Sequence, residues 1–148
     1  MKTKKYEYGF TCGSMDLFHA GHVLMLKEAK EYCNILIVGL QTDPTIDRPE
    51  KNKPIQSIEE RTIQLEGCRY VDKIVMYNTE DQLRELLASL NNQHSREGNT
   101  FARIIGADWK GKEFTGYDLN IDTIFNSRNH NYSSSELRKR IYKLESCK

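Results

Sequence analysis

An α/β fold built on a parallel sheet is the class this chain predicts, and three observations predict it. Apolar runs with strand character alternate with segments of helical period along the whole length. One run, Asn34 to Leu40 (NILIVGL), is almost wholly apolar and rich in β-branched residues, as expected of a strand covered on both faces. Two capping boxes, Ser57-Ile58-Glu59-Glu60 and Ser133-Ser134-Ser135-Glu136, mark helix starts. Parallel strands joined in sequence need right-handed crossovers, which place helices on both faces of the sheet. In such sheets ligands bind beyond the carboxyl ends of the strands.

The elements follow in order. Tyr6 to Cys12 reads as a polar first strand, and His22 to Cys33 as a helix with one face formed by Val23, Leu26, Ala29 and Cys33. Asn34 to Leu40 is the second, central strand. Thr42 to Pro54 is charged and holds Pro44, Pro49 and Pro54, all the prolines of the chain, so it reads as a loop. The box at Ser57 opens a helix to about Cys68. Lys73 to Tyr77 is a short strand, Glu80 to Leu90 an amphipathic helix, and Asn91 to Thr100 a polar surface turn. Ala102 to Ala107 and Asp122 to Asn126 complete a sheet of five strands, and a basic helix follows Ser133.

Composition narrows the function. A chain of 148 residues is enough for one domain with a substantial core. The net charge of +1 gives no global pull toward nucleic acid, so anion binding must come from local clusters. No apolar run approaches the roughly 18 residues needed to span a bilayer. Met1 to Lys5 is basic but no continuous apolar stretch follows, so no export signal is expected and the cytoplasm is the expected compartment. Cys12, Cys33, Cys68 and Cys147 form no C-x-x-C pair, which argues against zinc knuckles and thioredoxin-type chemistry and for reduced thiols. Cys33 and Cys68 read as core positions, and Cys12 as buried in the first strand.

The stretch Gly13-Ser14-Met15-Asp16-Leu17-Phe18-His19-Ala20-Gly21-His22 carries the chemistry. Gly13 can take a positive φ and lets a phosphate approach the backbone. Asp16 can pin the turn through its side chain. His19 and His22 fall on one face at a helix start, where imidazole and backbone N–H groups together suit a phosphate. A metal pair or two structural histidines are the plain alternatives; the offsets of Gly13 and Asp16 after a strand favour phosphate. Arg128 precedes Ser133-Ser134-Ser135 by five residues, which fits either a second anion cradle or an ordinary serine cap with a surface arginine. Lys51, Lys53, Arg61 and Arg69 are solvated charges unless the fold brings them to a phosphate. Trp109, the single tryptophan, sits in Gly106-Ala107-Asp108-Trp109-Lys110-Gly111-Lys112 after a strand, as a core residue or, more in keeping with its loop position, a pocket wall.

Gly13 to His22 resembles the G-x-F-D-x-x-H-x-G-H signature of the cytidylyltransferases, and Arg128 to Ser135 resembles their second signature, R-x-x-x-x-S-[ST]-[ST]. Arg61, the run Arg69-Tyr70-Val71-Asp72, and Gly106-x-Asp-Trp-x-Gly-Lys resemble the glycerol-3-phosphate cytidylyltransferases in particular. The resemblance implies a Rossmann-like α/β fold and a single nucleotidyltransferase domain over 1–148. It implies transfer of CMP from CTP to a phosphorylated alcohol, most closely glycerol 3-phosphate, with release of pyrophosphate. It implies Mg²⁺ held mainly by the phosphates rather than by protein ligands, and a homodimer with the Arg69–Asp72 region near the subunit contact. His19, His22, Lys53 and Arg128 match catalytic positions. Gly13, Ser14, Asp16, Gly21, Gly106, Asp108, Trp109, Ser133 and Ser134 match nucleotide contacts, and Lys51, Arg61 and Arg69 acceptor contacts. Three departures stand out: Met15 replaces the phenylalanine, Ala107 replaces a second acidic residue beside the base, and Glu113 to Asp122 is long enough to reshape the acceptor pocket. Adenylyltransferases, enzymes for heptose or ethanolamine phosphate, and a non-catalytic nucleotide-binding module are the competing readings. Arg138, Lys139, Arg140 and Lys143 read as a solvated helix face, so no nucleic-acid partner and no membrane are expected.

Overall fold

The computed structural model describes residues 4–148, so part of the basic Met1–Lys5 segment lies outside the described residues. Five strands form one sheet: β1 (Tyr6–Gly13), β2 (Cys33–Gln41), β3 (Lys73–Tyr77), β4 (Phe101–Gly106) and β5 (Asp122–Asn126). Every pairing is parallel, in the order β3-β2-β1-β4-β5. The chain winds outward from β1 to β3, then restarts on the other side of β1 with β4. The switch point therefore lies between the carboxyl ends of β1 and β4, where open α/β sheets bind ligands.

Period-2 alternation along β2 explains its continuous apolar run. Leu36, Val38 and Leu40 pack with Leu26 and Ala29 of α1 (Ala20–Glu31) and Leu65 of α2 (Ile58–Glu66). Ile37, with Phe10 of β1, packs instead with Leu83 and Leu87 of α3 (Glu80–Arg96). Helices thus cover both faces, and the Rossmann-like expectation holds. Gly39 is required by this packing: a Cβ there would lie 2.6 Å from Phe10 Cζ. Asp72 at the foot of β3 accepts from the Leu36 amide at 2.8 Å and from the Lys30 ammonium, tying β3 to β2 and α1.

Boundaries differ from the sequence reading where side chains reach beyond local pattern. The first helix begins at Ala20, because His19 itself is the cap, and Cys33 belongs to β2 rather than to the helix. The second helix ends at Glu66 rather than near Cys68. The segment Asn91–Thr100 is not all turn: α3 runs on to Arg96. Its extra turns are held by His94, 4% exposed, which stacks on Tyr8 at 3.7 Å and on Phe101 at 5.7 Å. The proline loop contains a 3-10 turn at Pro44–Ile46, and a second follows β4 at Ala107–Trp109. The last helix, α4 (Ser134–Ser146), has no buried residue.

Candidate active site

After β1 the backbone makes a strained turn. The positive φ expected at Gly13 falls instead on Met15 and Leu17, at 53° each. Non-glycine residues hold such angles only where their surroundings over-determine them. Here they do. Asp16 accepts from the amides of Ile55 and Gln56 at 2.9 and 3.0 Å, and the Leu17 amide donates to Gln56 Oε1 at 2.8 Å. Arg61 donates to the carbonyls of Ser14, Gln41, Thr42 and Gln56 at 2.6–3.1 Å. Arg61 is 2% exposed, so its place corrects the expectation of an acceptor contact: its donors are spent on carbonyls that fix the turn. Asp16 likewise meets backbone amides.

The turn delivers His19 as the N-cap of α1. Gly21 N–H donates to His19 Nδ1 at 3.0 Å, and His19 N–H donates to His22 Nδ1 at 3.2 Å, a capping box made of two imidazoles. Because each Nδ1 accepts, the proton of each neutral ring sits on Nε2. The backbone thus sets both tautomers and leaves Nε2–H as the free donor. Burial lowers the pKa of His19, with the positive fields of His130 and Arg128 adding to it. Burial also lowers His22, to about 4, with His19 in the same direction and Asp16 opposing. Both rings are therefore neutral N–H donors near pH 7.

The two rings stack at 3.8 Å and line a cavity of about 280 Å³. Its far wall comes from the other end of the chain: Arg128, Ser133 and Ser134. Ser134 Oγ donates to the Asp16 carbonyl at 3.2 Å, a direct link from the tail helix to the first turn. Ser133 caps α4 by accepting from the Glu136 amide at 3.1 Å; the reverse half of its capping box is not made. Arg128 faces Asp108 at 3.4 Å and is about half exposed. Gly106 and Asp108 complete the wall at the end of β4.

One contributor escaped the sequence reading. His130 lines the same cavity and accepts the Tyr132 amide at Nδ1 (3.1 Å), so its neutral form also carries Nε2–H. Gly21 makes room for it: a Cβ there would sit 2.8 Å from His19 Cε1 and 2.9 Å from His130 Cε1. The readable signal was a histidine among the four residues between Arg128 and Ser133.

Other expected residues lie apart. Lys51 and Lys53 are exposed and line neither this cavity nor its neighbour. Arg69 is exposed and sits over the Tyr70 ring at 5.3 Å. Trp109 takes the pocket-wall option, on an adjoining cavity of about 230 Å³ that shares Met25, Gly106 and Asp108 with the first. Gly13 opens onto that second cavity, and Ser14 lines neither. Among the described residues no group of three or more His, Cys, Asp or Glu could hold a metal ion. The donors present (imidazole N–H, guanidinium, hydroxyl) suit phosphate oxygens.

Residues 10–140 match the family model described as cytidylyltransferase-like. The chain belongs to that family. It is 35% identical over 133 residues to the bifunctional protein HldE of Campylobacter curvus, covering 89% of this chain and 26% of that protein. It is 40% identical over 65 residues to ethanolamine-phosphate cytidylyltransferase of Arabidopsis thaliana, covering 43% and 15%. The chain thus spans about a quarter or less of these relatives. Among solved structures, a bifunctional NMN adenylyltransferase/ADP ribose pyrophosphatase from Francisella tularensis, complexed with AMP and a manganese ion, superposes with a TM-score of 0.65 at 18% identity, covering 93% of this chain and 42% of that one. The lipopolysaccharide core biosynthesis protein of Thermoplasma volcanium gives 0.55 at 19% identity, covering 95% and 89%. These two likenesses concern the fold.

Proposed function

We propose that this nucleotidyltransferase domain, residues 1–148, transfers CMP from CTP to a phosphorylated alcohol, with glycerol 3-phosphate the leading acceptor. The observation that carries the reading is the single cavity joining His19 and His22 to Arg128, Ser133 and Ser134. An oxygen of the acceptor phosphate attacks the α-phosphorus of CTP, the bond to the β-phosphate oxygen breaks, and pyrophosphate leaves. The acceptor's second pKa is near 6, so it is already a nucleophile at neutral pH. The protein's contribution is positioning and charge stabilisation. His19 and His22 donate Nε2–H to the α-phosphate, and Arg128 with the α4 N-terminus holds the leaving group. Mg²⁺ bound on the triphosphate would neutralise its charge. His130 belongs with this donor set. Lys51 and Lys53 reach the phosphates only if the 42–57 loop closes, and Arg69 is assigned to the subunit contact.

ATP as donor is the second reading, favoured by Ala107, which leaves the β4 end without a second acidic partner for a base. A homodimer is proposed, with exposed Ile63 and Met76 near the Arg69–Asp72 segment as contact residues. The cytoplasm is the proposed compartment, with no membrane or nucleic-acid partner proposed; among the described residues no helix is long and apolar enough to cross a membrane, and the four cysteines are unpaired. The test is pyrophosphate release with CTP or ATP against glycerol 3-phosphate, a heptose phosphate and ethanolamine phosphate. Release with CTP and glycerol 3-phosphate supports the first reading. Release with ATP alone moves it to an adenylyltransferase, and nucleotide binding without release to any acceptor reduces the domain to a binding module.

A further inference from the structure

The cavity beside the phosphate site has chemistry of its own. Its floor is Arg103, on the α3-facing side of β4 and 4% exposed. A central parallel strand is normally apolar on both faces, so a guanidinium there is costly unless paired. Among the described residues no carboxylate lies within salt-bridge distance of it. Its contacts are the Thr115 carbonyl, Cys12 Sγ at 3.9 Å and the Phe114 ring at 5.1 Å, and its Nε has no partner. Gln41, 6% exposed at the end of β2, lines the same cavity, and its amide nitrogen Nε2 is also unpartnered. Two carboxylates line the cavity and both are engaged: Glu80 is held by Arg48 at 3.3 Å and by the Thr115 hydroxyl at 2.8 Å, and Asp108 faces Arg128 at 3.4 Å. The Glu113–Asp122 segment supplies Phe114 and Thr115, closing the side.

We infer that this cavity is the acceptor pocket beyond the reacting phosphate, and that it selects an uncharged, hydroxyl-rich group, a polyol or sugar, over a cationic one. This rests on the nucleotidyltransferase reading for the identity of the neighbouring site. Arg103 and Gln41 are donors in search of oxygen acceptors, which hydroxyls provide. An ammonium group would meet an unneutralised guanidinium and find both lining carboxylates engaged; such unpaired like charge is how a site rejects the wrong ligand.

Calorimetry on the whole chain, with glycerol 3-phosphate, ribose 5-phosphate and ethanolamine phosphate as probes, tests this apart from catalysis. The polyol phosphates should bind at least tenfold more tightly than ethanolamine phosphate. Arg103→Met should shrink that ratio to about threefold or less while the Kd for CTP stays unchanged, and Gln41→Met, which leaves the charge in place, should weaken the polyol phosphates severalfold. Equal or tighter binding of ethanolamine phosphate by the unaltered protein, or no binding of either polyol phosphate at millimolar concentration, overturns the inference. So does an unchanged ratio in Arg103→Met or, if that variant does not fold, unchanged polyol affinity in Gln41→Met. Pyrophosphate release without acceptor preference would sink the pocket and leave the enzyme reading standing. Preference without release from CTP or ATP would do the reverse.

Discussion

Gly21→Ala separates the geometry of the site from the stability of the fold. The added Cβ would lie 2.8 Å from His19 Cε1, 3.0 Å from His19 Nδ1 and 2.9 Å from His130 Cε1. Ordinary carbon contacts are about 3.5–4.0 Å, so both rings must recede by roughly 0.6 Å or more. Neither ring is free to swing, since each accepts a backbone amide at Nδ1. Misplacing a reacting arrangement by about 1 Å can cost 10²-fold, so kcat should fall about 10- to 100-fold. Stability runs the other way or stays level. Alanine in place of a helical glycine gains about 0.4–1 kcal/mol where its backbone angles suit. Weakening the His19 cap loses about 1 kcal/mol. The net change should be within about 1 kcal/mol. Pyrophosphate release and urea unfolding on the same preparation check both halves. A variant with kcat within twofold of the parent would refute the claim that His19 and His130 are held at contact distance across Gly21.

Three further outcomes follow from the site. His19→Ala and His22→Ala should each lower kcat by about 10²–10³, the usual loss of one transition-state donor, with the far-ultraviolet circular dichroism unchanged; turnover like the parent's in either would contradict their role. Arg61→Leu should cost about 3–5 kcal/mol in urea unfolding, because four carbonyls around the strained turn lose their donors; a loss under 1 kcal/mol would show that Arg61 is not their support. His22 makes stability depend on pH: its folded value of about 4 lies below the unfolded value near 6.5. Between these the unfolded chain takes up a proton that the folded chain refuses, so the contribution is complete above about pH 6.5 and is lost as pH falls toward 4. Allowing for a half-buried ring, the loss is about 2 kcal/mol, and His22→Gln should flatten that part of the melting-temperature profile; an unchanged slope would count against a depressed His22.

The sheet was readable because its signals are local. β2 declared itself by an apolar run, and β3 and β5 by short β-branched stretches between polar turns. The cavity that joins His22 to Ser134 was readable because both of its halves are motifs, even though 112 positions separate the two residues. What escaped depends on which way a side chain faces. Arg61 looked like one more helix cation and proves to be an internal brace. His94 sat in a polar run that concealed two turns of α3, although it continues the Leu83, Leu87, Leu90 face. Arg103 lies within a strand identified as such and Gln41 one residue past the expected end of another, but only the packing of α3 and the 113–122 segment shows their polar ends enclosed. Lys51 and Lys53 carry the right charge, and their loop leaves them in solvent.

The shallow seating of α4 has a consequence for order of events. With no residue buried, the helix is joined to the rest chiefly through the Ser134 hydroxyl, a 4.0 Å approach of Arg138 to Asp16, and the Arg138 contact to the Lys53 carbonyl at 3.5 Å. Such a segment detaches at far lower free energy than the whole fold unravels. Amide protons of residues 137–146 should therefore exchange with solvent well before those of β1 or β2, so that one jaw of the cleft can part from the other while the scaffold stays intact.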